Sequence, residues 1–251
     1  LPAAADADLS PAEIVQKAVE RNQSTNAPAP RPDYCYLQRT VIEELDGKGG
    51  LKSRNEKVEE ISVRAGLAYV RLIKSNGREL TAAERKKRED RELAERQKMT
   101  GAHASKKGDD REHFFTTELI ERYKFTLIRE EVINGRNAYL LSFEPRASKL
   151  PVKQLTDRVL NQIAGRLWID AGEFEISRAE LHLLNEVTLW GGVLGSLRQS
   201  DFTFERTRMP DGVWFSHFSH GFFEGRKLLD SMRYRTRSEA TEFKRIETVT
   251  E

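Results

Sequence analysis

The chain has 251 residues, 28.8 kDa, and sets 42 Lys and Arg against 40 Asp and Glu, a formal net charge of +2. That balance argues against a nucleic-acid binder, and no window reaches the ~20 apolar residues of a membrane-spanning helix, so no integral membrane span is expected. One cysteine, Cys35, permits neither an intrachain disulfide nor a Cys-based zinc site, and the composition reads as globular, with no cofactor and no metal implied.

The first residues, Leu1-Pro2-Ala3-Ala4-Ala5-Asp6, look like the start of a mature exported protein after removal of a signal peptide, which makes a periplasmic or otherwise exported location the expectation. Ser10-Pro11-Ala12-Glu13 is then a stacked helix start: a capping box, a proline where the missing N–H costs nothing, and Leu9 placed to staple against Ile14. Ile14, Val15, Ala18 and Val19 give the apolar stripe, and the spacing predicts a helix over Pro11–Asn22 ahead of a Pro-rich connector.

From Tyr34 the period changes to two. Tyr34–Leu45, Leu51–Arg64 and Leu67–Lys74 read as an antiparallel meander, broken by Asp46-Gly47-Lys48-Gly49-Gly50 and by Ala65-Gly66. In the first strand Cys35, Leu37 and Val41 share a face with Arg39 and are expected to be the buried side, opposite Gln38, Thr40 and Glu44. Asn76-Gly77 turns the chain into its most polar stretch. Thr81-Ala82-Ala83-Glu84 is a second capping box, and 12 of the 15 residues from Glu84 to Lys98 are charged, with opposite charges at helical spacing, so a protruding solvated helix is expected within an insertion at about 81–108.

Phe114, Phe115, Leu119, Ile120 and Tyr123 have the spacing of a short buried helix. Tyr123–Val132 and Arg136–Phe143 pair through Asn134-Gly135, a strong hairpin signal because both residues tolerate positive φ. Val152, Leu155, Val159, Leu160 and Ile163 predict an amphipathic helix over Pro151–Ala164, opened by Pro151 and closed by Gly165. The remainder is β again: Arg166–Asp170, Phe174–Leu184, Arg198–Arg208, Val213–Phe218 and a long strand Phe222–Arg237, with a further strand from Thr241. Nothing alternates as βαβ units do, so the sheet is expected to be antiparallel.

Gly165-Arg166-Leu167-Trp168-Ile169-Asp170, Asp211-Gly212-Val213-Trp214 and Phe223-Glu224-Gly225-Arg226, with the amino-terminal helix, the meander and the Asn134-Gly135 hairpin, resemble the outer-membrane lipoprotein-sorting carrier superfamily (LolA/LolB-like) across nearly the whole chain. The resemblance implies a single mainly β domain over residues 1–251: a strongly curved antiparallel sheet of about eleven strands forming an unclosed barrel, with helices covering its concave apolar side. It also implies a non-catalytic carrier of a lipid, acyl chain or acylated protein, with an envelope protein as a further partner. The charged stretch 84–98 departs from that plan and reads as an insertion.

An acyl-chain site needs apolar strand faces opposed to apolar helices with few polar groups between, because an unpartnered buried polar group costs about 1–3 kcal/mol. Phe202 and Phe204, Leu181 and Leu183, and Phe125 and Leu127 each share one side of a strand; with Leu37 and Val41 they are the expected cavity wall, and Val159 and Ile163 the expected cover. Arg39 is the candidate for a polar head group. Trp190, Val193 and Leu194, in a glycine-rich apolar run, are the expected lip, with a bent barrel-corner strand as the alternative. A filled core built from the same side chains, serving an interaction or regulatory domain, is the competing expectation.

Catalytic signals are weak. His217 and His220 fall on opposite faces of a strand, Gly195-Ser196-Leu197 lacks the second glycine of a nucleophile elbow, and Asp170, Glu173 and Glu175 surround a hairpin turn and are expected to face solvent. No enzymatic activity is expected.

Overall fold

In the computed structural model the described residues are 9–25, 33–64, 67–84, 86, 117–146, 150–152, 155–189, 195–227 and 230–246. Among the described residues the helices of a turn and a half or more are α1 (Pro11–Thr25), α2 (Thr117–Arg122) and α3 (Leu155–Leu160). The strands are β1 (Tyr34–Leu45), β2 (Leu51–Arg64), β3 (Leu67–Ser75), β4 (Arg78–Glu79), β5 (Tyr123–Ile133), β6 (Arg136–Pro145), β7 (Ile163–Asp170), β8 (Ile176–Leu183), β9 (Val187–Leu189), β10 (Gly195–Arg208), β11 (Trp214–Lys227) and β12 (Asp230–Arg245). They form one twelve-stranded sheet in the order β4-β3-β2-β1-β12-β11-β10-β8-β7-β6-β5, with β9 paired to β10.

Every pairing is antiparallel and the two ends of the order do not meet, so the sheet is an unclosed half-barrel. The chain closes the order by bringing β12 back beside β1: Gln38 Nε2 donates to Ser238 Oγ at 2.9 Å and Thr40 Oγ1 lies 3.2 Å from the same hydroxyl.

The amino-terminal helix forms as its sequence dictates. Ser10 Oγ accepts from Glu13 N at 3.3 Å while Glu13 Oε2 accepts from Ser10 N at 2.8 Å, a reciprocal cap that satisfies otherwise orphaned donors. Ile14, Val15 and Ala18 then bury against Tyr123, Leu141, Phe143, Leu167, Ile169, Ile176 and Ala179, which fixes α1 on one face of β5–β8. The second capping box is present too, Thr81 Oγ1 accepting from Glu84 N at 3.3 Å, and Ala82–Glu84 turn as a helix. Of the expected charged helix, 85 and 87–98 lie outside the described residues, as do Phe114 and Phe115.

The helix expected over Pro151–Ala164 is corrected to the six residues Leu155–Leu160. Asn161 N still reaches Asp157 O at 2.8 Å, but Gln162 N turns back to Val159 O at 2.9 Å, and Ile163 starts a strand. Gly165 is therefore a mid-strand glycine and not a helix stop. A Cβ there would sit 1.9 Å from the Glu180 carbonyl oxygen, so the position admits no side chain. The expected break between Phe218 and Phe222 is also absent: β11 runs unbroken from Trp214 to Lys227, with Gly221 lying against the Phe202 and Phe223 rings, and β12 runs from Asp230 through to Arg245, so no separate strand begins at Thr241.

Candidate functional site

Residues directly opposite on neighbouring strands share a face, so the register sorts the expected wall residues. One row runs Leu127, Leu141, Leu167, Ala179, Phe204, and the next Phe125, Phe143, Gly165, Leu181, Phe202. Leu183 opposite Ile163 extends the same face. This is the face on which α1 lies. Phe125, Leu127, Ile163, Leu181 and Phe204 are half-buried and pack against the α1 cluster, and the Phe202 ring stands 6.3 Å from that of Phe204.

Leu37, Arg39 and Val41 are not brought to that face. Phe204 is opposite Ser219, Ser219 opposite Ser238, and Ser238 opposite Thr40, so Thr40 and Gln38 share its side. Arg39 belongs to the row of Glu205, Phe218 and Glu239 on the other face, with Leu37 and Val41 beside it. The strand mixes polar and apolar residues on both sides, so its own alternation does not decide which side is covered. Arg39 is already occupied: its Nε donates to Glu56 Oε1 at 2.8 Å. Val159 is half-buried on α3, and the cover expected from a helix over Pro151–Ala164 is supplied by α1. Trp190, Val193 and Leu194 lie outside the described residues.

The outer face of the same strands is polar. Trp168 is buried with Ala138 and Leu140, Arg178 stacks 4.9 Å above its ring, and its indole N–H donates to Glu131, which holds that carboxyl below the usual range. A hollow of about 610 Å³ opens on this face, walled by Lys124, Thr126, Ser142, Arg166, Glu180 and His182 over a floor of Ala164 and Gly165.

The sequence reading missed a charged network at one end of the sheet. Asp170, expected in solvent, is 1% exposed: it accepts from Arg136 Nε at 2.6 Å and Nη2 at 2.8 Å, and from the turn N–H groups of Gly172 and Glu173 at 3.1 and 2.8 Å. Glu173 accepts from Arg208 Nε at 2.6 Å and from the Trp214 indole N–H at 2.8 Å. Burial pushes the Glu173 carboxyl up, but those two donors and the neighbouring guanidinium groups outweigh it and hold its pKa below the usual carboxylate value. Glu175 accepts from Arg206 at 2.7 Å and pairs with Arg21 of α1 at 3.3 Å. The available signal was the alternation of Arg206 and Arg208 on one strand, matching three carboxylates around one turn.

Among the described residues no group of three His, Cys, Asp or Glu side chains could hold a metal ion, and no helix is long and apolar enough to cross a membrane. His217 Nε2 lies 3.8 Å from Glu205.

No family model matches the chain, and neither does any curated protein. Among solved structures it is similar to a LolA superfamily protein from Nitrosomonas europaea, at 12% identity over 96% of each chain with a TM-score of 0.34. A DUF1329 family protein from Desulfovibrio piger matches at 12% identity over 96% of each chain, TM-score 0.36. MucB with MucA from Pseudomonas aeruginosa matches at 9% identity over 94% of this chain and 99% of that one, TM-score 0.26. Likeness at this level identifies neither a ligand nor a partner.

Proposed function

We propose that the chain is an exported, non-catalytic binding protein whose α1-covered sheet face takes an apolar ligand, a lipid or the acyl chain of a lipoprotein. The observation that carries this reading is the band of half-buried apolar side chains around α1: Phe125, Leu127, Ile163, Leu181 and Phe204 against the helix, with Phe202 and Leu183 adjoining on the same side of an open sheet. A chain laid along that band would meet aromatic and aliphatic surface with no charged side chain in the two rows. Each methylene buried contributes about 0.8 kcal/mol, so ten carbons partly covered would gain several kcal/mol before the entropic cost of binding. Native mass spectrometry of the protein purified from its own host is the test: a co-purified lipid supports the reading, and a ligand-free mass under conditions that preserve apolar complexes opposes it.

One observation favours a second reading, an interaction or regulatory domain with a filled core. Ile14 and Val15 are wholly buried, and the hollows of about 70 and 610 Å³ are lined largely by polar and charged residues rather than by the apolar band. Under that reading α1 is a permanent plug and partners dock on exposed strand surface.

A further inference from the structure

Four arginines and three carboxylates meet where the β5–β6 turn, the β7–β8 turn and the start of β11 converge: Arg21, Arg136, Arg206 and Arg208 against Asp170, Glu173 and Glu175. The carboxylates are committed, as described above. The guanidinium groups are not used up. Arg136 spends Nε and Nη2 on Asp170, Arg206 spends Nη1 on Glu175 and Nη2 on the Trp214 carbonyl, and Arg208 spends Nε on Glu173 and Nη1 on the Met209 carbonyl. That leaves Arg136 Nη1, Arg206 Nε and Arg208 Nη2 without a hydrogen bond among the described residues, and the Asn134 amide is in the same position.

Arg136, Arg206, Arg208 and Asn134 line one hollow of about 70 Å³, together with Trp214, whose ring lies 5.7 Å from the Arg136 guanidinium carbon. Asp170 also lines it, but both its oxygens are taken by Arg136 and one also by the turn N–H groups. One water needs roughly 10–15 Å³ of such space, so the hollow has room for several waters or one small oxyanion. Guanidinium groups held by carboxylates on one edge present the other in a fixed orientation, which is the geometry that recognises phosphate oxygens.

We infer that this hollow binds a phosphate group, held by Arg136, Arg206 and Arg208 with Asn134 as a further donor. The site goes beyond the apolar-ligand reading and stands or falls apart from it. The same chemistry is offered by a soluble phosphate and by the head group of an anionic lipid, and the experiment separates them.

The whole protein is titrated with inorganic phosphate by calorimetry, and its melting is followed in phosphate and in chloride at matched ionic strength. The site predicts saturable phosphate binding, a higher melting temperature in phosphate than in chloride, and an affinity reduced roughly tenfold or more in Arg208→Gln, the effect of losing one charged donor. Asn134→Gly keeps the positive φ of the turn and disturbs no ion pair, so a severalfold loss there, with unchanged melting in chloride, belongs to the site and not to unfolding. Equal behaviour in phosphate and chloride, or wild-type phosphate affinity in both variants, overturns the proposal. Co-sedimentation with phosphatidylcholine vesicles containing phosphatidic acid, reversed by inorganic phosphate, supports the site and assigns the group to a lipid. Phosphate binding without co-sedimentation supports it and assigns a soluble phosphate. Fatty-acid uptake in Arg208→Gln reports separately on the apolar face.

Discussion

Asp170 shows how much one side chain can join. It lies at the end of β7, fastens the β5–β6 hairpin through Arg136 and closes its own turn through two backbone N–H groups. Asp170→Ala strands a half-buried guanidinium and leaves turn donors unpaired, and should cost on the order of 3 kcal/mol in chemical denaturation. A loss under about 0.5 kcal/mol, the range of ordinary surface changes, would show that the lock is ornamental. Glu173 has a signature in pH. Its folded pKa is depressed, so the stability it contributes is present above the pKa of an unfolded glutamate and is lost as pH falls through the lower folded value. Melting followed downward from neutral pH should therefore fall through the acidic range, and Glu173→Gln should flatten that fall while lowering the neutral plateau; an unchanged acid limb would contradict the assignment. In the sequence three acids around a turn look like solvent-facing residues; only the alternation of Arg206 and Arg208 pointed otherwise, and those partners lie more than thirty positions from the acids they bind.

Whole elements were legible in proportion to how local their signals are. The Ser10–Glu13 capping box and the Asn134-Gly135 turn are complete within a few residues, and both form as read, with Asn134 and Gly135 at φ 51° and 75°. The second helix failed because its apolar spacing at Val159 and Ile163 fits a helix and a turn-then-strand equally well, and because Gly165 looks the same to the sequence whether it ends a helix or admits a neighbouring carbonyl. That distinction is measurable. Gly165→Ala would be nearly neutral beyond a helix end, whereas here its Cβ would collide with the Glu180 backbone, and the β7–β8 pairing must shift at a cost of about 1–3 kcal/mol or more. A wild-type melting temperature for that variant would contradict the observed strand. The wall candidates divided on the same principle: Phe125, Leu127, Leu181 and Phe204 reach one face because their strands alternate cleanly, while Leu37 and Val41 sit on a strand whose two sides differ little and whose facing is set by the register with β12, about 200 residues on.

For the molecule as a whole, the antiparallel pairing followed from strand spacing and turn residues and the open sheet from the family resemblance; a covering helix over Pro11–Asn22 was expected and α1 is found there, while the expected second cover over Pro151–Ala164 shrinks to α3. The central claim is that this face receives an apolar ligand beside α1. It is tested most directly by titrating a fluorescent fatty acid into the wild-type protein and into Phe204→Asp, with melting curves recorded on the same samples. The account predicts saturable uptake by the wild type and its loss in Phe204→Asp, because a carboxylate in the apolar row disfavours a buried acyl chain, while the variant still melts cooperatively. No uptake by the wild type, or uptake undiminished in a folded Phe204→Asp, would contradict it.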